Sequence, residues 1–348
     1  MTSFAERMQG RFVGALSALP APVQRLLAGG RPVRIDGLEL AAEYQLVLRL
    51  VALSGHPGLH TMTPAQARAE IRRSARIFAA NPPALARIED RVVPGPAGPI
   101  PARLYVPSDD GKRRPLVVYY HGGGWVIGDL ESHDTACRHL AREADVGVLA
   151  IDYRLAPEHR FPAAVDDALA AFRWAAANAD ALGFDPARVA VAGDSAGGNL
   201  AAVVAQLTTR DGGPRPAAQF LAYPVTDVAT KHPSYRLFAD GFLLTERDMD
   251  WFRSHYLPDD ASTRDPRASP LLAPDLDGLP PAVVLTCGFD VLRDEGEAYA
   301  RRLEQAGVPV VLRRSAGLIH GFCNAIGVSP LSRAATTEGA RLLRDLLA

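Results

Sequence analysis

The stretch Val189-Ala-Val-Ala-Gly-Asp-Ser-Ala-Gly-Gly-Asn199 constrains this chain more than any other. A short apolar run ending at Ala192 breaks into Gly193-Asp194-Ser195-Ala196-Gly197. Apolar residues then resume at helical spacing through Leu200, Val203 and Leu207. The pattern predicts a strand, a sharp turn and a helix, with a serine at the apex. Glycines two residues to either side suit such a turn, because strand and helix come so close that a side chain would collide. The same five residues also occur in ordinary strand-to-helix turns, so their weight depends on partners elsewhere in the chain.

Bulk properties narrow the setting. With 348 residues, 48% of them hydrophobic and 22% charged, the chain can bury a large core. A net charge of -1 gives no electrostatic case for nucleic acid or an anionic membrane as partner. Lys112 and Lys231 are the only lysines; arginine supplies the rest of the basic charge. Three cysteines, Cys137, Cys287 and Cys323, lack metal-ligand spacing and suit a reducing compartment. Met1 to Arg11 carries Glu6, Arg7 and Arg11 and no apolar core of a secretory signal. No apolar run approaches the roughly 18 residues of a membrane helix. A cytoplasmic protein with no metal and no cofactor is the expectation.

Residues 1 to about 85 read as helical. Phe12, Ala15, Leu16 and Leu19 form one apolar stripe, and Leu38, Leu40, Tyr44, Leu46, Val47 and Leu50 a second. A third helix opens at Thr63-Pro64-Ala65-Gln66, a capping-box pattern, with Ala67, Ile71 and Ile77 on its apolar face. His56 and His60 are four apart, but Pro57 and Gly58 between them forbid a helical metal pair. From Ile88 strands begin. Ile88 to Val93 and Ala102 to Val106 flank Pro94-Gly-Pro-Ala-Gly-Pro99 and read as an edge hairpin. Leu116–Tyr120, Gly147–Asp152, Val189–Ala192, Gln219–Tyr223, Ala282–Cys287 and Val308–Leu312 read as buried strands of a parallel sheet. Helical patterns at 132–143, 163–177, 196–209, 295–306 and 331–347 separate most of them. Alternation of this kind predicts an α/β fold, mostly parallel, flanked by helices. Ala229 to Leu257, rich in aromatic and aliphatic residues, departs from it as a helical insertion able to pack as a lid with the N-terminal helices.

In open α/β sheets the site lies beyond the carboxyl ends of the strands. Leu116–Tyr120 is followed by His121-Gly-Gly-Gly-Trp125, whose glycines leave backbone N–H groups free to hold a developing oxyanion. Ser195 follows the third buried strand, and the N–H of Ala196 is a second source of donors. Asp290 follows Ala282–Cys287, and His320 follows Val308–Leu312 and the segment Ser315–Ile319. The order Ser195, Asp290, His320 is that of a nucleophile, an orienting acid and a base on three strand-end loops. Asp290 has an alternative use in capping the helix near Glu295, for which Asp294 is better placed. His121 reads as a loop brace, and His133, His139, His159, His232 and His255 as surface or structural. Cys323 reads as buried packing. The glycines lack the spacing of a nucleotide-binding loop.

Together, His121-Gly-Gly-Gly-Trp125, Asp152-Tyr-Arg-Leu-Ala-Pro-Glu-His159, Phe161-Pro-Ala-Ala164, Gly193-Asp-Ser-Ala-Gly-Gly-Asn199, Asp290-Val-Leu-Arg-Asp-Glu-Gly296 and His320-Gly-Phe322 resemble the hormone-sensitive lipase family of bacterial carboxylesterases. The similarity spans residue 85 to the C-terminus. It departs at Val291, where the family usually has proline. The resemblance implies an α/β-hydrolase fold, residues 86–348, with a helical cap from residues 1–85 and 228–262. It implies Ser195 as nucleophile, His320 as base and Asp290 as its orienter. Oxyanion donors would come from Gly123, Gly124 and Ala196, with Gly122 a further candidate. Trp125, Phe242, Leu243 and Leu244 are candidate pocket walls. The expected substrate is a small ester with a short to medium acyl chain, and a homodimer is an expectation of the family alone. The same triad serves an amidase, lactonase or deacetylase. Plant gibberellin receptors resemble the family but bind without hydrolysis and lack the histidine that His320 supplies here.

Overall fold

The computed structural model describes residues 4–55, 57–79 and 82–348. Four helices lead the chain: α1 (Phe4–Ser17), α2 (Ala21–Leu27), α3 (Ala42–Leu53) and α4 (Pro64–Phe78). A two-residue hairpin, β1 (Arg34–Ile35) and β2 (Leu38–Glu39), precedes α3. The expected stripe from Leu38 to Leu50 is therefore not one helix. Leu38 pairs with Ile35, and the helix starts only at Ala42. The capping box at α4 forms as its sequence suggests, Thr63 and Gln66 bonding reciprocally.

The remaining elements, in order, are β3 (Arg87–Gly95), β4 (Gly98–Val106), β5 (Leu116–Tyr120), α5 (Asp134–Ala144), β6 (Gly147–Ile151), α6 (Ala163–Asn178), β7 (Val189–Asp194), α7 (Ala196–Arg210) and β8 (Gln219–Ala222). After them come α8 (Pro233–Leu237), α9 (Glu246–Tyr256), β9 (Ala282–Phe289), α10 (Arg293–Gln305), β10 (Val310–Ile319) and α11 (Pro330–Leu346). Strands β3 to β10 form one sheet in the order β10-β9-β8-β7-β5-β6-β4-β3. Pairing is parallel from β10 to β6 and antiparallel at β4 and β3. This is the mostly parallel α/β-hydrolase arrangement.

Every residue of β5, β6, β7, β8 and β9 is buried, which is why these strands read as unbroken apolar runs. The β3–β4 hairpin sits at the edge, where prolines without a donor are tolerated, and Pro94 pairs opposite Pro99. Several strands are longer than expected: β4 begins at Gly98 and not Ala102, and β7 and β9 run on to Asp194 and Phe289. β10 runs from Val310 to Ile319 with an irregularity after Ser315, where the sequence suggested Val308–Leu312.

The N-terminal helices do not all lie in one layer. Ala41 N–H donates to the Gly317 carbonyl at 3.0 Å, and the Tyr44 hydroxyl bonds Ser332, so the start of α3 is fastened to β10 and α11. In contrast, α4 and the insertion helix α9 reach toward the carboxyl ends of the strands. His60, in the turn before α4, meets Asp248 of α9 at 2.9 Å. His56, its neighbour in sequence, lies outside the described residues. Among the described residues no helix is long and apolar enough to cross a membrane.

Candidate active site

β7 ends at Asp194 and α7 begins at Ala196, leaving Ser195 between them at φ 54° and ψ -117°. For a residue with a side chain this backbone is strained. It is held by the Ser195 N–H donating to the Ala222 carbonyl at 2.8 Å, and by Asn199 and Val225 N–H groups donating to the Ser195 carbonyl. The two flanking glycines are sterically required. A Cβ on Gly197 would lie 1.9 Å from the Tyr120 carbonyl oxygen, and one on Gly193 2.3 Å from the Gly197 backbone.

Asp290 is the first residue after β9 and His320 the first after β10. The Ser195 hydroxyl stands 3.0 Å from His320 Nε2, and His320 Nδ1 2.8 Å from Asp290 Oδ2. The other oxygen of Asp290 accepts the Leu292 N–H at 2.9 Å, just ahead of α10. This is a turn within the loop and not a helix cap, since α10 has Leu292 at its N-cap and no side chain capping it. All three side chains are largely buried, and the Tyr223 ring flanks the imidazole at 4.7 Å.

The glycine loop turns sharply after β5, with Gly123, Gly124 and Trp125 all at positive φ. The Gly123 carbonyl accepts from both Val126 and Ile127. Gly122 does not fit the role of a further oxyanion donor, because its N–H is committed to Asp194 Oδ1 at 2.9 Å. Ala196, at the start of α7, has no intrahelical acceptor for its N–H.

Asp194 is the most connected group behind the serine. Besides Gly122, it accepts the Tyr119 hydroxyl at 2.7 Å and lies 3.4 Å from His133 Nε2 and 3.3 Å from the Asn324 amide. Burial alone would push its carboxyl up. His133, Tyr119 and the Gly122 N–H outweigh that and hold it down at about 2. His121 bonds the Gly122 carbonyl through Nδ1 and stacks on Tyr153; burial and His133 lower it to about 4, so it braces the loop as a neutral ring. Cys323 is buried, which pushes its thiol up to about 12.

Of the wall candidates, Trp125 is buried and stacks on Tyr256 of α9 at 4.2 Å. Phe242 packs against Phe238 and Phe289. Leu244 is buried, whereas Leu243 is 56% exposed on the turn before α9. Two further neighbours were not among the wall candidates, although Phe252 lies in the apolar insertion expected to form a lid. Phe252 lies against Gly124 so closely that a Cβ there would meet its ring at 2.2 Å. Tyr223 directly follows β8, but a strand read as Gln219–Tyr223 hid it from the strand-end rule. Among the described residues no His, Cys, Asp and Glu cluster is placed to hold a metal ion.

Comparison with known proteins agrees with this fold. A family profile described as an alpha/beta hydrolase fold matches residues 117–324. The chain is 48% identical to the carboxylic ester hydrolase LipN of Mycobacterium tuberculosis, over 98% of this chain and 93% of that one. It is 41% identical to an ethyl acetate hydrolase of Pseudomonas putida, over 82% and 91%. Among solved structures, an ester-hydrolase from the metagenome of Lake Arreo, in complex with a bipyridine phosphonate derivative, superposes with a TM-score of 0.84. It shares 44% identity and covers 88% of this chain and 98% of its own. A hyperthermophilic esterase from Pyrobaculum calidifontis gives 0.85, with 42% identity over 89% and 99%.

Proposed function

The chain belongs to the α/β-hydrolase-fold family, in its hormone-sensitive-lipase-like branch of serine carboxylic ester hydrolases, and from that premise we propose that it cleaves small esters with short to medium acyl chains. The observation that carries the reading is the unbroken chain from the Ser195 hydroxyl to His320 Nε2 and from His320 Nδ1 to Asp290.

In the proposed reaction His320 takes the Ser195 proton as the oxygen attacks the ester carbonyl. The N–H groups of Gly123, Gly124 and Ala196 receive the negative charge that develops on the carbonyl oxygen. His320 then gives its proton to the departing alkoxide, releasing the alcohol and leaving an acyl-Ser195. It next deprotonates a water that attacks this acyl group, and the carboxylic acid leaves as the proton returns to Ser195. Asp290 holds the Nδ1 side of the ring, so that Nε2 faces the serine. Phe252 against Gly124 and Tyr256 against Trp125 crowd the loop with aromatic rings, which supports compact acyl groups. On the same reading α4, α8 and α9 belong to a cap drawn from residues 1–85 and 228–262.

The test is hydrolysis of p-nitrophenyl esters of increasing acyl length, wild type against Ser195→Ala. The expected result is a maximum at short chains and a loss of several orders of magnitude in kcat for the variant, on the order of 10⁴ or more. Near wild-type turnover by Ser195→Ala would sink the mechanism.

A further inference from the structure

The loop that carries Gly123 and Gly124 is anchored at both ends. At its start the Gly122 N–H is tied to Asp194, the neighbour of Ser195. At its far end the Val126 carbonyl accepts Arg68 Nε at 2.8 Å. Arg68 comes from α4, on the N-terminal side of the molecule. Its Nη2 also donates to the Ala156 carbonyl at 2.8 Å. The guanidinium meets Glu158 with both prongs, Nη1 to Oε1 at 2.8 Å and Nη2 to Oε2 at 2.6 Å. The Ala156 N–H in turn donates to the Trp125 carbonyl at 2.9 Å. One planar cation therefore locks the end of the glycine loop to the neighbouring segment 153–158. One turn along α4, Arg72 pairs with Asp129, whose carboxylate also accepts the Ser132 N–H.

We propose that Arg68 is a positioning residue for the oxyanion-donor loop. The proposal rests on the reading of Gly123 and Gly124 as oxyanion donors. The loop has three residues at positive φ and no strand partner; beside its own turn bonds and the Phe252 ring, these two anchors set where its donors sit. A guanidinium suits this duty because its donors are fixed in a plane and spread over three nitrogens, from which Arg68 makes four bonds; an ammonium has three donors on one nitrogen. Arg68 makes no contact with the serine or histidine and acts through the Val126 carbonyl. Oxyanion donors act only when aimed at where the charge develops, and an error of about 1 Å can cost about a hundredfold in rate. Loss of the tether should therefore lower kcat and leave substrate binding nearly unchanged. It also makes the seating of α4 a condition for full activity.

The experiment compares the full-length wild type with Arg68→Ala and Arg68→Lys, and with Arg73→Ala as a control on the same helix, paired with Glu70. Steady-state hydrolysis of p-nitrophenyl acetate and the inactivation rate with a p-nitrophenyl phosphonate are measured, with and without millimolar guanidinium. The expected result is a kcat for Arg68→Ala lower by about ten- to a hundredfold, with KM within about twofold and phosphonylation slowed in parallel. Guanidinium should restore part of the rate to Arg68→Ala and none to wild type, and Arg68→Lys should fall between. If Arg68→Ala does not fold, Arg68→Lys carries the same comparison. A folded variant with wild-type kcat and phosphonylation, or one that loses stability alone without a guanidinium response, overturns the inference. A wild type inert to both esters and phosphonate overturns the reading of the site, and the inference with it.

Discussion

Residues that the local chain pattern explains are concentrated at the turn around Ser195. Gly193 and Gly197 are glycine because the strand and helix leave no room for a Cβ, and that could be said from the sequence. Glu295 could not be read this way. It belongs to the stretch that resembles a family motif, yet it is fully buried, with Oε1 accepting the Thr226 N–H at 2.7 Å and the Asp227 N–H at 3.2 Å. Burial pushes its carboxyl well above the ordinary glutamate range, so folding favours its protonated form. A raised acid contributes stability below its unfolded value and loses it as pH rises. Glu295→Gln keeps the accepting oxygen and removes the ionisable group. Its thermal melts should match or exceed wild type at pH about 8, with the advantage shrinking toward pH about 4. A variant destabilised equally at every pH would show that the carboxyl itself is needed.

At the scale of elements, α9 is the one whose purpose only packing reveals. Its sequence is that of an amphipathic helix, burying Met249, Phe252 and Tyr256, and Thr245 and Asp248 cap it reciprocally. What it buries are Phe252 against Gly124 and Tyr256 against Trp125, so the insertion presses on the glycine loop rather than merely covering the sheet. Phe252→Ala should shift the p-nitrophenyl ester profile toward longer acyl chains, measured as the ratio of kcat/KM for hexanoate to acetate. A ratio unchanged from wild type would remove Phe252 from the acyl channel. Two departures from expectation arise at this scale as well. Leu38 sits in a hairpin because Asp36-Gly37 takes two consecutive positive-φ residues, which stops a helix. β10 outruns its apolar stretch because it pairs with β9 past Leu312 as far as Ser315, and backbone pairing does not require apolar side chains.

For the molecule as a whole, Asp194 is a meeting point: β5 through Tyr119, the glycine loop through Gly122, the approach to α5 through His133 and the turn before α11 through Asn324. Its carboxyl is held at about 2 against an ordinary 3.8. A lowered acid contributes stability above its unfolded value and loses it as pH falls through the folded one. Wild type should therefore lose about 2 kcal/mol from this group between pH about 4 and about 2. Asp194→Asn should be less stable at neutral pH and have a flatter acid limb in urea titrations; an acid limb identical to wild type would assign the loss to other groups. The sequence by itself determined the alternation of strands and helices, the strained serine turn and the three strand-end positions Ser195, Asp290 and His320. Those follow from short-range patterns and from the rule that parallel strands present their carboxyl ends on one edge. Only the tertiary structure decided what holds the glycine loop: Arg68 on Val126, Asp194 on Gly122 and Phe252 on Gly124. Each pair joins segments far apart in the chain, and such contacts depend on how helices cross the sheet, which no local periodicity encodes.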